Sequence, residues 1–167
     1  MMDTSNIKLV LKDGNFLEIS KKAASLSEKL KNDFSNESEI PINEIDKKTL
    51  EDIIEYLNHY QGVEPPEIEK PLNKGDLKDI LTKSNENDTF AYDYIEKFSP
   101  EALSNLCVAA NYLGIDKLLD LCCAKIAYIC KDKDEDAILK TFGITQTFTE
   151  EEKQKIKDEN SWIEDNI

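Results

Sequence analysis

Near the start of the chain two short runs of alternating hydrophobic residues, Ile7, Leu9 and Leu11 and then Phe16 to Ile19, flank an Asp13-Gly14 pair. Successive side chains of a strand face opposite ways, and Asp-Gly accepts the positive backbone angles of a tight reversal. The stretch is therefore read as an antiparallel hairpin with one buried face. A small sheet at this end limits the fold to architectures in which later elements cover it.

Those later elements read as helices. "SKKAASLSEKLKNDF" predicts two short helical pieces, with Leu26, Leu30 and Phe34 at spacings of four. "EIPI" follows, and Pro41, having no N–H, limits it to an edge strand. Asp46 is placed to cap a helix to about Gln61, in which Leu50, Ile53, Ile54, Leu57 and Tyr60 share one face. From Val63 to Thr89 the chain turns polar, which predicts a mobile insertion loop (63–89) with a single helix at Asp76 to Lys83. "SPEALSNLCVAANYLG" is punctuated as a helix by the cap Ser99, by Pro100 in the first turn, by Glu101 at the positive end and by the stop Gly114. Leu103, Leu106 and Ala110 form its buried stripe. "KLLDLCCAKIAYICK" predicts a further helix opened by Asp116, with Leu119, Cys122, Ile126 and Ile129 on a core face. A shorter helix runs from the cap Asp134 to Gly143, and Thr149 with Glu152 three residues on forms a capping-box pattern for the last one. Strands followed by a run of helices is an α+β order.

Charge and residue chemistry remove several functions. The net charge is −14, from 35 acidic and 21 basic residues, and every basic residue is lysine. A polyanion without arginine is a poor fit to nucleic acid, because phosphate repels it and no guanidinium fork is present to read guanine. No apolar run approaches a membrane span, and the first residues lack a secretory pattern, so the four cysteines are expected reduced, in cytoplasm or nucleus. Cys107, Cys122, Cys123 and Cys130 lack the paired spacing of zinc ligands and read as buried thiols; no metal or cofactor is expected. The one histidine, His59, reads as structural rather than as a general base. With no catalytic constellation, an enzyme using Cys107 or Cys130 with His59 is a weak competitor, and the expectation is a non-enzymatic protein.

Two features fit a binding protein. The last helix carries only Ile156, Trp162 and Ile163 as large apolar residues, too narrow a stripe to hold it firmly to its own core. Trp162 either packs on the preceding helices or anchors a partner. At the end of the Ser99 helix, Asn111 and Tyr112 lie off the buried stripe and serve either the helix terminus or a contact site.

"AANYLGIDKLLDLCCAKIA", "AILKTFGI" and "FTEEEKQKIKDENSW", in that order, closely resemble the S-phase kinase-associated protein 1 family, and "IKLVLKDGNFLEI", "IPI" and "YLNHYQGVEPPE" are similar to its earlier segments. The resemblance covers nearly the whole chain. It implies a BTB/POZ fold over 1–131 and a C-terminal F-box-binding helical extension over 132–167. It also implies a non-catalytic adaptor joining a cullin to F-box proteins in an SCF ubiquitin ligase, with weak self-association when no F-box protein is bound. Matched residue by residue, the cullin side would be Pro41, Ile42, Asn43, Asn111 and Tyr112. The F-box side would be Leu119, Ile126, Phe142, Ile144, Phe148, Ile156, Trp162 and Ile163. The chain departs from the family in a longer insertion from Lys70 to Asn87, in Tyr92 and Ile163 where Trp and Cys are commoner, in Glu135 where several protist members carry a modified proline, and in a divergent segment from Lys21 to Glu39. The alternatives are an elongin-C-like adaptor, which would lack the segment Phe142 to Trp162, and a homo-oligomerising BTB module.

Overall fold

The computed structural model describes residues 5–35, 37–70, 72, 75–83, 88–145 and 148–160. The chain divides into two compact units, 1–131 and 132–167.

In the first unit, β1 (Asn6–Leu11) and β2 (Phe16–Ser20) pair antiparallel, with Ile7 opposite Ile19 and Val10 opposite Phe16. The reversal uses Gly14 at a φ of 83°, and the Asp13 carboxylate accepts from the Asn15 backbone N–H at 3.0 Å and from its side-chain amide at 2.7 Å. β3 (Glu39–Ile42) adds to β1 in parallel, giving the order β2-β1-β3. Pro41 thus sits on an edge strand, where its missing N–H leaves no ladder bond unmade. Ile7, Leu9, Ile19, Ile40 and Ile42 point into the core.

Helices cover that face: α1 (Lys21–Ala24), α2 (Glu28–Asp33), α3 (Lys47–Tyr60), α4 (Leu77–Thr82), α5 (Phe90–Glu96), α6 (Pro100–Leu113) and α7 (Asp116–Cys130). Asp46 caps α3, accepting from the Thr49 backbone at 3.0 Å and its hydroxyl at 2.6 Å. Buried Leu50, Ile53, Tyr56 and Leu57 of α3 meet Leu103, Leu106 and Ala110 of α6 and Leu118, Leu121 and Cys122 of α7 in one cluster.

The structure corrects three expectations. Among the described residues of 63–89, Pro65 and Leu77 are buried rather than part of a mobile loop, while α4 stands where the single helix was expected, at Asp76 to Lys83. The core face of α7 is Leu118, Leu121, Cys122 and Lys125, while Leu119, Ile126 and Ile129 are only half-buried, because a helix apolar on nearly every side gives no periodic signal to choose by. Lys125 enters that face by laying its stem along it and pairing with Glu96. Of the four thiols only Cys122 is buried; Cys107 and Cys130 are half-buried and Cys123 is exposed.

The second unit contains α8 (Glu135–Thr141), capped by Asp134, and α9 (Glu150–Glu159), whose capping box is complete: Thr149 Oγ1 accepts from Glu152 N at 3.2 Å, and Glu152 Oε2 accepts from Thr149 N at 2.8 Å. None of its described residues is buried. Its helices are held by caps and local ion pairs, which alone leave short helices marginal in water.

Candidate functional site

The first surface lies at the end of α6. Ser99 Oγ accepts from the Ala102 N–H, and Pro100 occupies the first turn. At the other end Gly114 turns left-handed at a φ of 63°, where a Cβ would stand 3.0 Å from that of Glu28. With Leu103, Leu106, Ala110 and Leu113 facing in, the helical repeat turns Val108, Asn111 and Tyr112 to solvent, Val108 at 71% exposure and Tyr112 at 38%. Val108, three residues before Asn111 and four before Tyr112, lies on their face. The patch is braced from α2. The Ser27 hydroxyl donates to the Leu113 carbonyl at 2.5 Å and the Glu28 N–H to the Gly114 carbonyl at 3.1 Å. Lys29 lies 5.5 Å from the Tyr112 ring centroid, its basicity raised chiefly by its hydrogen bond to Asp33. The result is an apolar and aromatic patch with a cation at its edge, on a strongly acidic protein.

The other expected contacts of this group lie on a different element. Pro41 and Asn43 are exposed at β3, but Ile42 between them is fully buried. Strand alternation sends Ile42 into the core, so it can position its neighbours and cannot itself be a contact residue.

A second surface runs along α7. Leu119 and Ile126 are half-buried, and the exposed Cys123 and half-buried Cys130 fall between and after them at spacings of four, three and four. The sequence groups both with the buried thiols, whereas the structure leaves Cys123 exposed and Cys130 half-buried. The repeat that groups them with Leu119 and Ile126 was visible, but small apolar thiols are compatible with either environment.

In the second unit the chain leaves α8 through Gly143, at a φ of 65°, with the Ile144 N–H returning to the Leu139 carbonyl at 2.9 Å. Phe142 is half-buried, whereas Ile144, Phe148 and Ile156 keep 47%, 55% and 42% of their surface in water. Trp162 and Ile163 lie outside the described residues.

Two of the thiols are set away from nucleophilic chemistry. Burial pushes the Cys107 and Cys122 thiols up, Cys107 further through the neighbouring Cys123, away from the thiolate a nucleophile needs. The His59 ring is stacked on Phe90 with centroids 3.5 Å apart. Among the described residues no helix is long and apolar enough to cross a membrane.

Known proteins resemble the chain in two family-model segments and, as relatives, over nearly its whole length. Residues 5–62 match the family model described as "Skp1 family, tetramerisation domain", and residues 116–163 match "Skp1 family, dimerisation domain". An S-phase kinase-associated protein 1 homolog of Tetrahymena thermophila is 37% identical over 165 residues, covering 97% of this chain and 96% of the relative. The E3 ubiquitin ligase complex SCF subunit sconC of Arthroderma otae is 36% identical over 166 residues, covering 97% and 96%. The SCF ubiquitin ligase complex protein SKP1a of Dictyostelium discoideum is 32% identical over 165 residues, covering 96% and 97%.

Proposed function

Because the chain belongs to the Skp1 family, we propose that it is the adaptor of an SCF-type ubiquitin ligase, bridging a cullin and F-box substrate receptors in ubiquitin-dependent protein degradation. The observation that carries the reading is the second unit: capped helices with no buried residue among those described, and three large apolar side chains about half in water. Such a segment gains its apolar cover from another polypeptide. An F-box protein would lay the apolar face of a helix against Phe142, Ile144, Phe148 and Ile156 of the second unit; Leu119 and Ile126 of α7, in the first unit, belong to the F-box set by family resemblance. Trp162 and Ile163 join this set by family resemblance.

On this reading Asn111 and Tyr112, with Val108 beside them, form the cullin patch, and Pro41 and Asn43 join the cullin set by family resemblance. The adaptor makes and breaks no bonds. It holds a receptor and a scaffold together, so a substrate on one is near the ligase machinery on the other. The unpaired thiols fit a reducing compartment, and we place the chain in cytoplasm and nucleus. Tyr112→Ala should weaken cullin binding with F-box binding nearly unchanged, and Ile144→Ser should do the reverse. Titration of each variant with each partner tests this; a variant that lost both partners while still folded would refute two separate surfaces.

The family descriptions "dimerisation" and "tetramerisation" favour a second reading, in which the partner is another copy of the chain. Light scattering of the pure chain separates the two. A tight dimer that persists at nanomolar concentration and excludes the F-box would support self-assembly, and a monomer or weak dimer that dissociates on F-box addition would support the adaptor.

A further inference from the structure

Residues 63–70 and 75–83 lie along one flank of α7, tied there by polar contacts spaced down the helix. Lys117 reaches Glu67 at 3.1 Å, Lys70 reaches Asp120 at 2.7 Å, and the Tyr128 hydroxyl donates to Asp76 at 3.3 Å. Asp76 is the N-cap residue of α4, yet its side chain makes no capping bond and holds Tyr128 instead. A six-residue helix gains little from its own hydrogen bonds, so its position depends on buried Leu77 and on these tethers.

The segment brings more apolar surface than the core takes up. Leu77 is buried and Leu81 packs against the core, whereas Leu72 and Ile80 are half-buried and belong to neither group. With Ala127 and Tyr128 of α7 they line an open crevice of about 300 Å³, with Lys131 at its edge. Its size is at the low end for a ligand site, and converging polar groups that would orient a small molecule are missing from its lining, since the Tyr128 hydroxyl is already used on Asp76. Ala127 is four residues after Cys123 and three before Cys130, so at that residue the crevice borders the α7 stripe assigned above to the F-box.

We infer that this crevice receives an apolar side chain of the bound F-box protein, making the insertion a selectivity wall of the F-box site. The inference rests on the adaptor reading. The occupant follows from continuity: a helix lying on Leu119, Cys123 and Ile126 passes beside Ala127, which forms the near edge of the crevice. Receptors with a large apolar residue there gain contacts with Leu72 and Ile80 that receptors with a small or charged one do not.

The test uses the full chain and the F-box domain of a receptor that co-purifies with it, expressed alone. Leu72→Ser/Ile80→Ser removes the apolar wall, Ile80→Trp fills the crevice, and Ile126→Ala reports on the stripe itself. Thermal unfolding checks that each variant is folded, and the Ile80 methyl resonance of the unaltered chain is followed during titration. The expected result is about tenfold weaker binding for both crevice variants, together with a shift of the Ile80 methyl. Weaker binding by Ile126→Ala, with both crevice variants within twofold of the parent and no methyl shift, overturns the crevice alone. If Ile126→Ala also leaves affinity unchanged, the α7 stripe falls and the crevice with it.

Discussion

Phe148→Ala is the substitution whose effect the structure sizes best. A phenylalanine can take about 150–250 Å² out of water. Since Phe148 keeps 55% of its surface exposed in the free chain, roughly 80–140 Å² is left for a partner to cover. At about 25 cal/mol/Å² this is at most ~2–3.5 kcal/mol, or about 30- to 400-fold in Kd. The assay is calorimetric titration with an F-box domain, run beside thermal unfolding of the free chain. The main unfolding transition reports the core of residues 1–131, to which Phe148 does not belong, so Tm should stay within about 2 °C. Leu57→Ala, at a fully buried position of α3, is the contrasting control and should cost about 2–5 kcal/mol of stability. Unchanged F-box affinity with a clear fall in Tm would refute the reasoning, because Phe148 would then be serving the protein's own core.

Two further outcomes follow from local chemistry. The Asp46 carboxyl is held below its ordinary range, first by the Thr49 hydroxyl and then by the Thr49 N–H. Its folded-state value thus lies below the unfolded one, and its contribution is fully present above about pH 3.9 and lost as pH falls through the folded value. Asp46→Ala should cost about 0.5–2 kcal/mol near neutral pH, and urea unfolding should show the gap to the parent closing in acid; a gap independent of pH would contradict the cap. In thiol titration of the native chain, exposed Cys123 should react first and Cys122, buried and with its thiol pushed up, only on unfolding. Labelling of Cys122 alongside Cys123 in native buffer would contradict the packing of α7.

Features set by neighbours in sequence were legible before the structure. The Asp13-Gly14 reversal, the caps at Asp46, Ser99, Asp134 and Thr149, and the stop at Gly114 depend on a few adjacent residues, and each stands where it was read. The sparse apolar content of α9 was equally plain. What needed coordinates was tertiary. No periodic pattern marks α5, because its support is an aromatic cluster with α3, in which the Tyr94 ring lies 5.4 Å and the Phe90 ring 6.4 Å from that of Tyr56. Helix α7 could not declare its core face, and the surface roles of Cys123 and Val108 were hidden by residue types at home on either side of a helix. The crevice beside α4 was invisible for a related reason. Leu72 and Ala127 are brought together by tethers that connect residues some fifty positions apart, such as Lys70 with Asp120.

The most direct test of the account mixes the chain with an F-box protein and a cullin and determines the mass of the products by size exclusion with light scattering. The adaptor reading predicts one species with each component once, formed whichever partner is added first. Displacement of one partner by the other, or elution of the chain as a homo-oligomer that retains neither, would contradict it.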